Sequence, residues 1–361
     1  MKICIILGTR PEIIKMSSLI RECEKRKTDF FILHTNQHYS ANLDKVFFEE
    51  LKLPQPRYNL KVGSATHAIQ TAKLLIGIEE VLLREAPDVA VVEGDTNTVL
   101  AGALAASKLH IKVAHIEAGL RSYSRRMPEE INRIITDHIS DFLFAPTDKA
   151  RSILLDEGIP QNKIYVTGNT VVDAVYQNLI LAKKRSKILE NYGLAKTKYF
   201  LVTVHREENA NDKKRLIGIL SGLKLVAKKY NFPAVCPIHP RTRKKIQEFK
   251  LTVDSAIRMI NPVGYLDFLT LEVNAKLILT DSGGIQEESC ILQIPCVTLR
   301  NNTERPETIE AGGNILAGVS PNGILDSVDK MLKKKKTWKH PFGNGLAGKT
   351  ILDKLEEIKL L

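Results

Sequence analysis

Leu277-Ile278-Leu279-Thr280-Asp281-Ser282-Gly283-Gly284-Ile285-Gln286-Glu287-Glu288 is the stretch whose reading decides the fold. Residues 277–279 are continuously apolar, as a strand buried on both faces of a parallel sheet must be. Ser282 and two glycines follow, and a helical pattern opens behind them. At such a helix start the backbone N–H groups are uncovered by side chains and can cradle a diphosphate. Glu288 falls a turn or so further on, where a carboxylate can hold ribose hydroxyls. Ser282 lacks the G-x-S-x-G setting of a nucleophile elbow.

The same strand–turn–helix unit repeats on either side. Apolar runs at 200–204, 234–238, 257–260, 296–299 and 315–317 alternate with helical patterns such as 213–229 and 265–274. In the first half, runs at 3–7, 30–33, 89–92, 113–116, 142–145 and 164–166 alternate with helical patterns at 13–25, 65–84, 98–108 and 130–140. Two series of βαβ units imply an α/β protein of two Rossmann-like, doubly wound domains. We place the first domain at 1–170, a helix and polar linker at 171–198, and the second domain at 199–345. The last helix, 346–361, is placed to cross back onto the first domain. Ligands of such sheets bind beyond the carboxyl ends of the strands, so the residues just after each strand carry the functional reading.

After the first strand come Gly8-Thr9-Arg10-Pro11-Glu12 and, within the following helix, Lys15. A glycine turn, a proline at the first helical position and two cations suit an anion; an ordinary turn with two solvated cations fits the same residues. Asp95 follows the strand 89–92 and Glu117 the strand 113–116, while Glu129 opens a helix soon after. Converging carboxylates raise one another's pKa, so one can act as acid while another acts as base. Each of the three is also a plausible helix cap or ion-pair partner. His205 and His239 each end a strand of the second domain, where a histidine can face an anion or simply bond the backbone. Arg305 follows the strand 296–299 as a further phosphate candidate.

The bulk composition removes several function classes. The 361 residues carry a formal net charge of +12, which favours anionic partners. Aromatics make up only 6 % and do not interleave with the cations, which argues against nucleic acid. The cysteines, Cys4, Cys23, Cys236, Cys290 and Cys296, show no C-x-x-C spacing, so we expect reduced thiols, no metal and a cytoplasmic protein. No signal peptide or membrane span is expected, because the apolar run at 3–7 is short and no stretch reaches about 18 uncharged apolar residues. Residues 343–350, Gly-Asn-Gly-Leu-Ala-Gly-Lys-Thr, match both a dinucleotide and a P-loop pattern. They follow a lysine-rich segment instead of a buried strand, so the match is a decoy.

Taken together, the motifs resemble the non-hydrolysing UDP-N-acetylglucosamine 2-epimerases. The resemblance rests on 8–12, 93–96, 115–121, 128–133, 203–209, 281–288 and 303–307, in order from the first strand towards the last helix. It implies a GT-B type fold of two domains facing a cleft, a homodimer, and no metal, nicotinamide or other cofactor. It implies that uridine diphosphate is held by Arg10, Lys15, His205, Ser282, Gly283, Gly284, Glu288 and Arg305, with Phe268 at the uracil. It implies catalysis by Asp95, Glu117 and Glu129, and an effector site that includes Gln37 and His38. A GT-B glycosyltransferase using a UDP-sugar and a silent UDP-sugar sensor share the fold; three retained carboxylates argue against both.

Overall fold

The computed structural model describes residues 1–37 and 47–358. The chain forms two compact units, one of Met1–Gln177 with Phe342–Leu361, the other of Asn178–Pro341.

The first unit is built on a parallel sheet of β1 (Lys2–Leu7), β2 (Asp29–His34), β3 (Tyr58–Asn59), β4 (Val89–Glu93), β5 (Lys112–Ile116), β6 (Phe142–Ala145) and β7 (Ile164–Val166). Their spatial order is β3-β2-β1-β4-β5-β6-β7, so the winding reverses between β1 and β4. Ile3, Ile5 and Leu7 are shielded on one face and Cys4 and Ile6 on the other, which is why the run is apolar without alternation. Each such aliphatic side chain contributes about 1.5–3 kcal/mol by leaving water. Six of these strands are continuous apolar runs in the sequence. β3 is not: it is two residues long and exists because Tyr58 and Asn59 pair with Leu33 and His34.

Helices cover both faces. His67–Glu85 and Asn97–Lys108 pack Leu74, Ile78, Val99 and Ala103 over β1, β2 and β4. Arg10–Arg26 lies alongside the closing helix Ala347–Ile358. A Cβ on Gly348 would lie 2.9 Å from the Leu19 backbone nitrogen, so only glycine permits this approach. Asp173 caps the closing helix by accepting from the N–H groups of Ala347 and Gly348 at 3.1 and 3.0 Å. Gly348 of the decoy motif therefore serves helix packing, while Gly343 and Gly345 take left-handed turns before the helix, at φ 98 and 81.

The second unit repeats the plan with β8 (Phe200–Thr203), β9 (Ala234–Pro237), β10 (Ile257–Ile260), β11 (Leu277–Thr280), β12 (Cys296–Thr298) and β13 (Asn314–Leu316). The order is β10-β9-β8-β11-β12-β13, all parallel, with the reversal between β8 and β11. The chain passes between units inside the helix Thr170–Arg185. Beyond it Ile188 and Leu194 are buried in the second unit against Tyr199, Leu201 and Ile278. Ligand sites of doubly wound sheets lie at the winding reversal, which here means the ends of β1 and β4 and of β8 and β11.

Candidate active site

At the end of β1 the backbone passes so close to its neighbours that a Cβ on Gly8 would lie 2.3 Å from the hydroxyls of Thr35 and Thr98. Thr9 and Glu12 form a capping box at the start of Arg10–Arg26. Glu12 does more than cap. One of its oxygens accepts from the N–H groups of Gly8 and Thr9, and the other accepts from the Thr96 hydroxyl at 2.6 Å. One buried carboxylate thus ties the β1 turn to the β4 turn. Burial pushes its pKa up to about 7, against the pull of those three hydrogen bonds. Arg10 is exposed, with its guanidinium over the Phe47 ring.

Thr96, and not Asp95, is the cap of Asn97–Lys108: its hydroxyl accepts from the Val99 N–H. Asp95 is gripped instead by Arg133, whose Nε and Nη2 lie 3.0 and 2.6 Å from one carboxylate oxygen. Arg133 also reaches Glu130 at 2.8 Å, and Glu130 accepts from the N–H groups of Ser122 and Tyr123. Glu130 therefore fixes the arginine and the loop, while Asp95 keeps 31 % of its side chain exposed. Asp95, Glu129 and Gln37 line one cavity of about 330 Å³, together with His67, Asn97 and Asn132. The Gln37 side-chain oxygen accepts from the Thr98 N–H and hydroxyl at 3.2 and 2.8 Å, so Gln37 is a fixed part of the wall. His38 lies outside the described residues.

Glu117 is absent from that lining. It follows β5 in the left-handed region at φ 67, a conformation that costs a non-glycine residue about 1–3 kcal/mol. The turn aims its carboxylate at Lys15, 2.7 Å away, and at the amide of Asn169, 2.9 Å away. Lys15 also meets the buried Glu93 at 3.0 Å. Burial raises the Glu93 pKa well above the carboxylate range; Lys15 pulls it down and Glu117 pushes it up. Beneath them, His115 joins Asp137 at 2.7 Å and the Gly94 carbonyl at 2.9 Å. Asp137 also pairs with Arg121 at 2.7 Å. Burial would raise the Asp137 pKa, but His115 and Arg121 hold it below the usual value.

In the second unit Asp281 is fully buried and accepts from the N–H groups of His205 and Arg206 and from the Asn209 amide, at 3.0–3.1 Å. This clamps the ends of β8 and β11 together and presents the His205 ring. Burial holds that imidazole below the usual histidine range; Asp281 opposes the shift, and Arg206 and Arg241 reinforce it. Ser282 is the N-cap residue of the helix Gly283–Ile291, but its hydroxyl does not cap the helix. Neither glycine has a positive φ. A Cβ on Gly284 would meet nothing within 4 Å, and one on Gly283 only side-chain atoms of Arg206, Arg305 and Glu304, at 3.9–4.0 Å. Packing within the protein does not demand glycine here, so the space kept open faces outward from the helix N-terminus. Arg305 pairs with the buried Glu287 at 2.8 Å. Glu288 accepts from the Tyr265 hydroxyl at 3.0 Å, and Phe268 sits half-buried on the same helix as Tyr265, Tyr265–Val273.

Of the residues singled out in the sequence, Arg10, Asp95, His205, Ser282, Gly283 and Gly284 follow the strands at the two winding reversals; Asp95 and Glu129 share a cavity, and Glu117, after β5, is paired with Lys15. The sequence reading missed Glu12, Glu93 and Arg133 as parts of the site. The Thr9-x-x-Glu12 capping box was a usable signal for the first; the other two are recognisable only from their partners. Among the described residues no cluster of His, Cys, Asp and Glu is arranged to hold a metal, and no helix is long and apolar enough to cross a membrane.

The family model described as UDP-N-acetylglucosamine 2-epimerase matches residues 21–356. The UDP-N-acetylglucosamine 2-epimerase of Methanocaldococcus jannaschii is 58 % identical over 358 residues, 98 % of each chain. The crystal structure of M. jannaschii UDP-GlcNAc 2-epimerase in complex with UDP-GlcNAc and UDP matches with a TM-score of 0.90, covering 99 % of this chain and 100 % of that one. The Neisseria meningitidis UDP-GlcNAc 2-epimerase bound to UDP-GlcNAc matches with a TM-score of 0.89 at 36 % identity, over 99 % and 100 % of the two chains. Likeness of that extent makes the fold theirs, the GT-B class built of two Rossmann-like domains. The chain belongs to the UDP-N-acetylglucosamine 2-epimerase family.

Proposed function

We propose that the protein interconverts UDP-N-acetylglucosamine and UDP-N-acetylmannosamine by inverting C2 of the sugar. The observation that carries this reading is the meeting of Asp95 and Glu129 at one cavity beyond β4, with Glu117 on the adjacent strand end. The C2 proton is not next to a carbonyl and is weakly acidic, so a carboxylate removes it only as the C1–O bond breaks. The electron pair of that bond leaves on the diphosphate oxygen, and the C2–H pair forms the C1–C2 double bond. The products are 2-acetamidoglucal and UDP. Return of the proton to the opposite face of C2, with the UDP oxygen rejoining C1, completes the inversion.

Inversion needs proton donors and acceptors on both faces of C2. Asp95 and Glu129 are the pair suited to it by their shared cavity. Glu117, with Lys15 as counter-ion, has its charge and direction set by the protein, which suits it to the positive charge building at C1. The leaving diphosphate gains negative charge, which suits the open N-terminus at Gly283 and Gly284 with Ser282, Arg305 and His205 in the second unit; Arg10, after β1, is assigned to phosphate by the family resemblance alone. Glu288 is assigned to the ribose and Phe268 to the uracil. Gln37 is assigned to the wall of the sugar cavity, where an effector would reach it.

The enzyme is proposed to be a cytoplasmic homodimer. Ile69, Ile76 and Leu83 are 53, 61 and 64 % exposed at seven-residue intervals on His67–Glu85, one apolar stripe of the kind that helices bury against a partner. All five cysteines are unpaired and buried, which suits a reducing compartment.

Proton NMR of UDP-N-acetylglucosamine with the protein in D2O tests the function directly. Appearance of UDP-N-acetylmannosamine carrying deuterium at C2 is the expected result. Tight UDP binding with an unchanged sugar spectrum would sink the proposal.

A further inference from the structure

Asp95 stands on a turn that its neighbours hold at three points. Arg133 binds its carboxylate at 2.6 and 3.0 Å, and the Asn132 amide donates to its carbonyl at 2.9 Å. The third point lies one residue back, where His115 Nε2 is 2.9 Å from the Gly94 carbonyl. Gly94 takes the left-handed region at φ 87. Glycine is as free to leave that region as to enter it, so the peptide leading into Asp95 takes its direction from what holds it.

All three holds trace to one helix, Pro128–Ile139. Asn132 and Arg133 belong to it, and Glu129 stands in its first turn. The third hold depends on Asp137, near the end of the same helix. His115 is fully buried on β5, and its Nδ1 meets Asp137 Oδ1 at 2.7 Å. Asp137 in turn accepts from the Gly119 N–H at 3.2 Å and pairs with Arg121 at 2.7 Å, and Arg121 pairs with Glu157 at 2.6 Å. A carbonyl can only accept, so Nε2 carries a hydrogen and donates it to Gly94. Turning the ring over would break both of its bonds, so Asp137 sets the direction in which Nε2 points.

We propose that His115 is a positioning residue for the epimerisation: through the Gly94 carbonyl it fixes the peptide that aims Asp95 at the cavity shared with Glu129. The helix Pro128–Ile139 thereby sets the spacing of the two carboxylates, presenting one and holding the other through Asn132, Arg133 and the Asp137–His115 pair. The proposal rests on the reading of Asp95 as a proton-transfer group. Such transfer is steep in distance, and a misplacement of about 1 Å can cost about 10²-fold in rate.

A purely structural network, present only to satisfy a buried aspartate, makes the opposite demand on substitution. Asn in place of His115 puts its amide where Nδ1 lies, so it keeps the bond to Asp137 but is too short to reach Gly94. Gln puts its amide near Nε2, so it keeps the bond to Gly94 and gives up the one to Asp137. The experiment measures kcat and KM for C2 deuterium incorporation in both variants, with the unfolding midpoint and UDP affinity of each. We expect His115→Asn to lose about 10²-fold in kcat with KM and UDP affinity unchanged. His115→Gln should keep most of the wild-type kcat in spite of a lower unfolding midpoint. Wild-type kcat in His115→Asn, or an equal loss in both variants, overturns the proposal. A second measurement needs no variant. In wild type the His115 Nε2–H should show a scalar coupling to the Gly94 carbonyl carbon by NMR, and its absence also overturns the proposal. The Asp95 reading fails separately: Asp95→Asn exchanging the C2 proton at the wild-type rate would remove it while leaving that coupling in place.

Discussion

The Lys15 ammonium lies 2.7 Å from the Glu117 carboxylate, so a cation that reads in the sequence as a phosphate ligand is already engaged by the protein. The same ammonium meets Glu93 at 3.0 Å, and both carboxylates are buried. Lys15 sets the local electrostatics and holds two acids at the ends of neighbouring strands.

Removing that cation strands the acids. Lys15→Met should cost about 3–5 kcal/mol of stability, the usual result of leaving a buried charge without its partner. Denaturant unfolding should show a smaller loss as pH falls, where the raised pKa of Glu93 lets it take up a proton. Adding Glu93→Gln to Lys15→Met should restore part of the loss.

Asp95 offers the opposite case. It is partly exposed and held only at its rim by Arg133, so Asp95→Asn should change stability by less than about 1 kcal/mol. Loss of a proton-transfer group should nonetheless lower kcat by about 10²–10⁴-fold. Deuterium incorporation at C2, compared with the unfolding midpoint of the same preparation, separates the two effects.

Glu12 gives a signed pH dependence. Its pKa is about 7 in the fold, above the unfolded value, so its contribution is complete below the unfolded pKa. That contribution is lost as pH rises towards and through about 7, with a total effect of about 3 kcal/mol. Glu12→Gln still accepts from Gly8 and Thr9 through its oxygen and can place its amide on the Thr96 hydroxyl. The variant should fold and should lack this part of the decline in stability with pH, measured by urea unfolding between about pH 5 and pH 8.

The two glycine turns should answer an added methyl group differently. Gly284→Ala meets open space, so it should stabilise the fold by about 0.5–1 kcal/mol while weakening UDP binding. Gly8→Ala places its Cβ 2.3 Å from two buried hydroxyls and should destabilise the fold instead. If Gly284→Ala binds UDP as well as wild type, the diphosphate does not rest on this helix N-terminus.

The apolar stripe on His67–Glu85 should be covered in solution. Ile76→Lys should shift sedimentation from dimer towards monomer, because it puts a charge at the centre of the stripe. Loss of the dimer at micromolar protein is the measurement to make; a wild-type chain that sediments as a monomer would sink the homodimer reading.

Much of this was legible in the residues because burial on two faces forces continuous apolar runs, and a chain turning at a strand end needs glycine, proline and cap residues. Twelve of the strand segments 3–7 through 315–317 stand at positions that these runs mark. β3 escaped because two residues carry no periodicity, and its pairing with Leu33 and His34 comes from outside the segment.

The sequence by itself determined the α/β plan, its two series of βαβ units and the list of side chains at the strand ends, since those depend on local pattern and spacing. Only the tertiary structure decided their partners. It gave the helix cap to Thr96 and left Asp95 to Arg133, which lies 38 residues away in the chain. It turned Lys15 to Glu93 and Glu117, and it set the Tyr265 hydroxyl on the Glu288 carboxylate. Charge pairing in a buried site depends on distance and dielectric, and neither is written in the order of the residues until the chain has closed on itself.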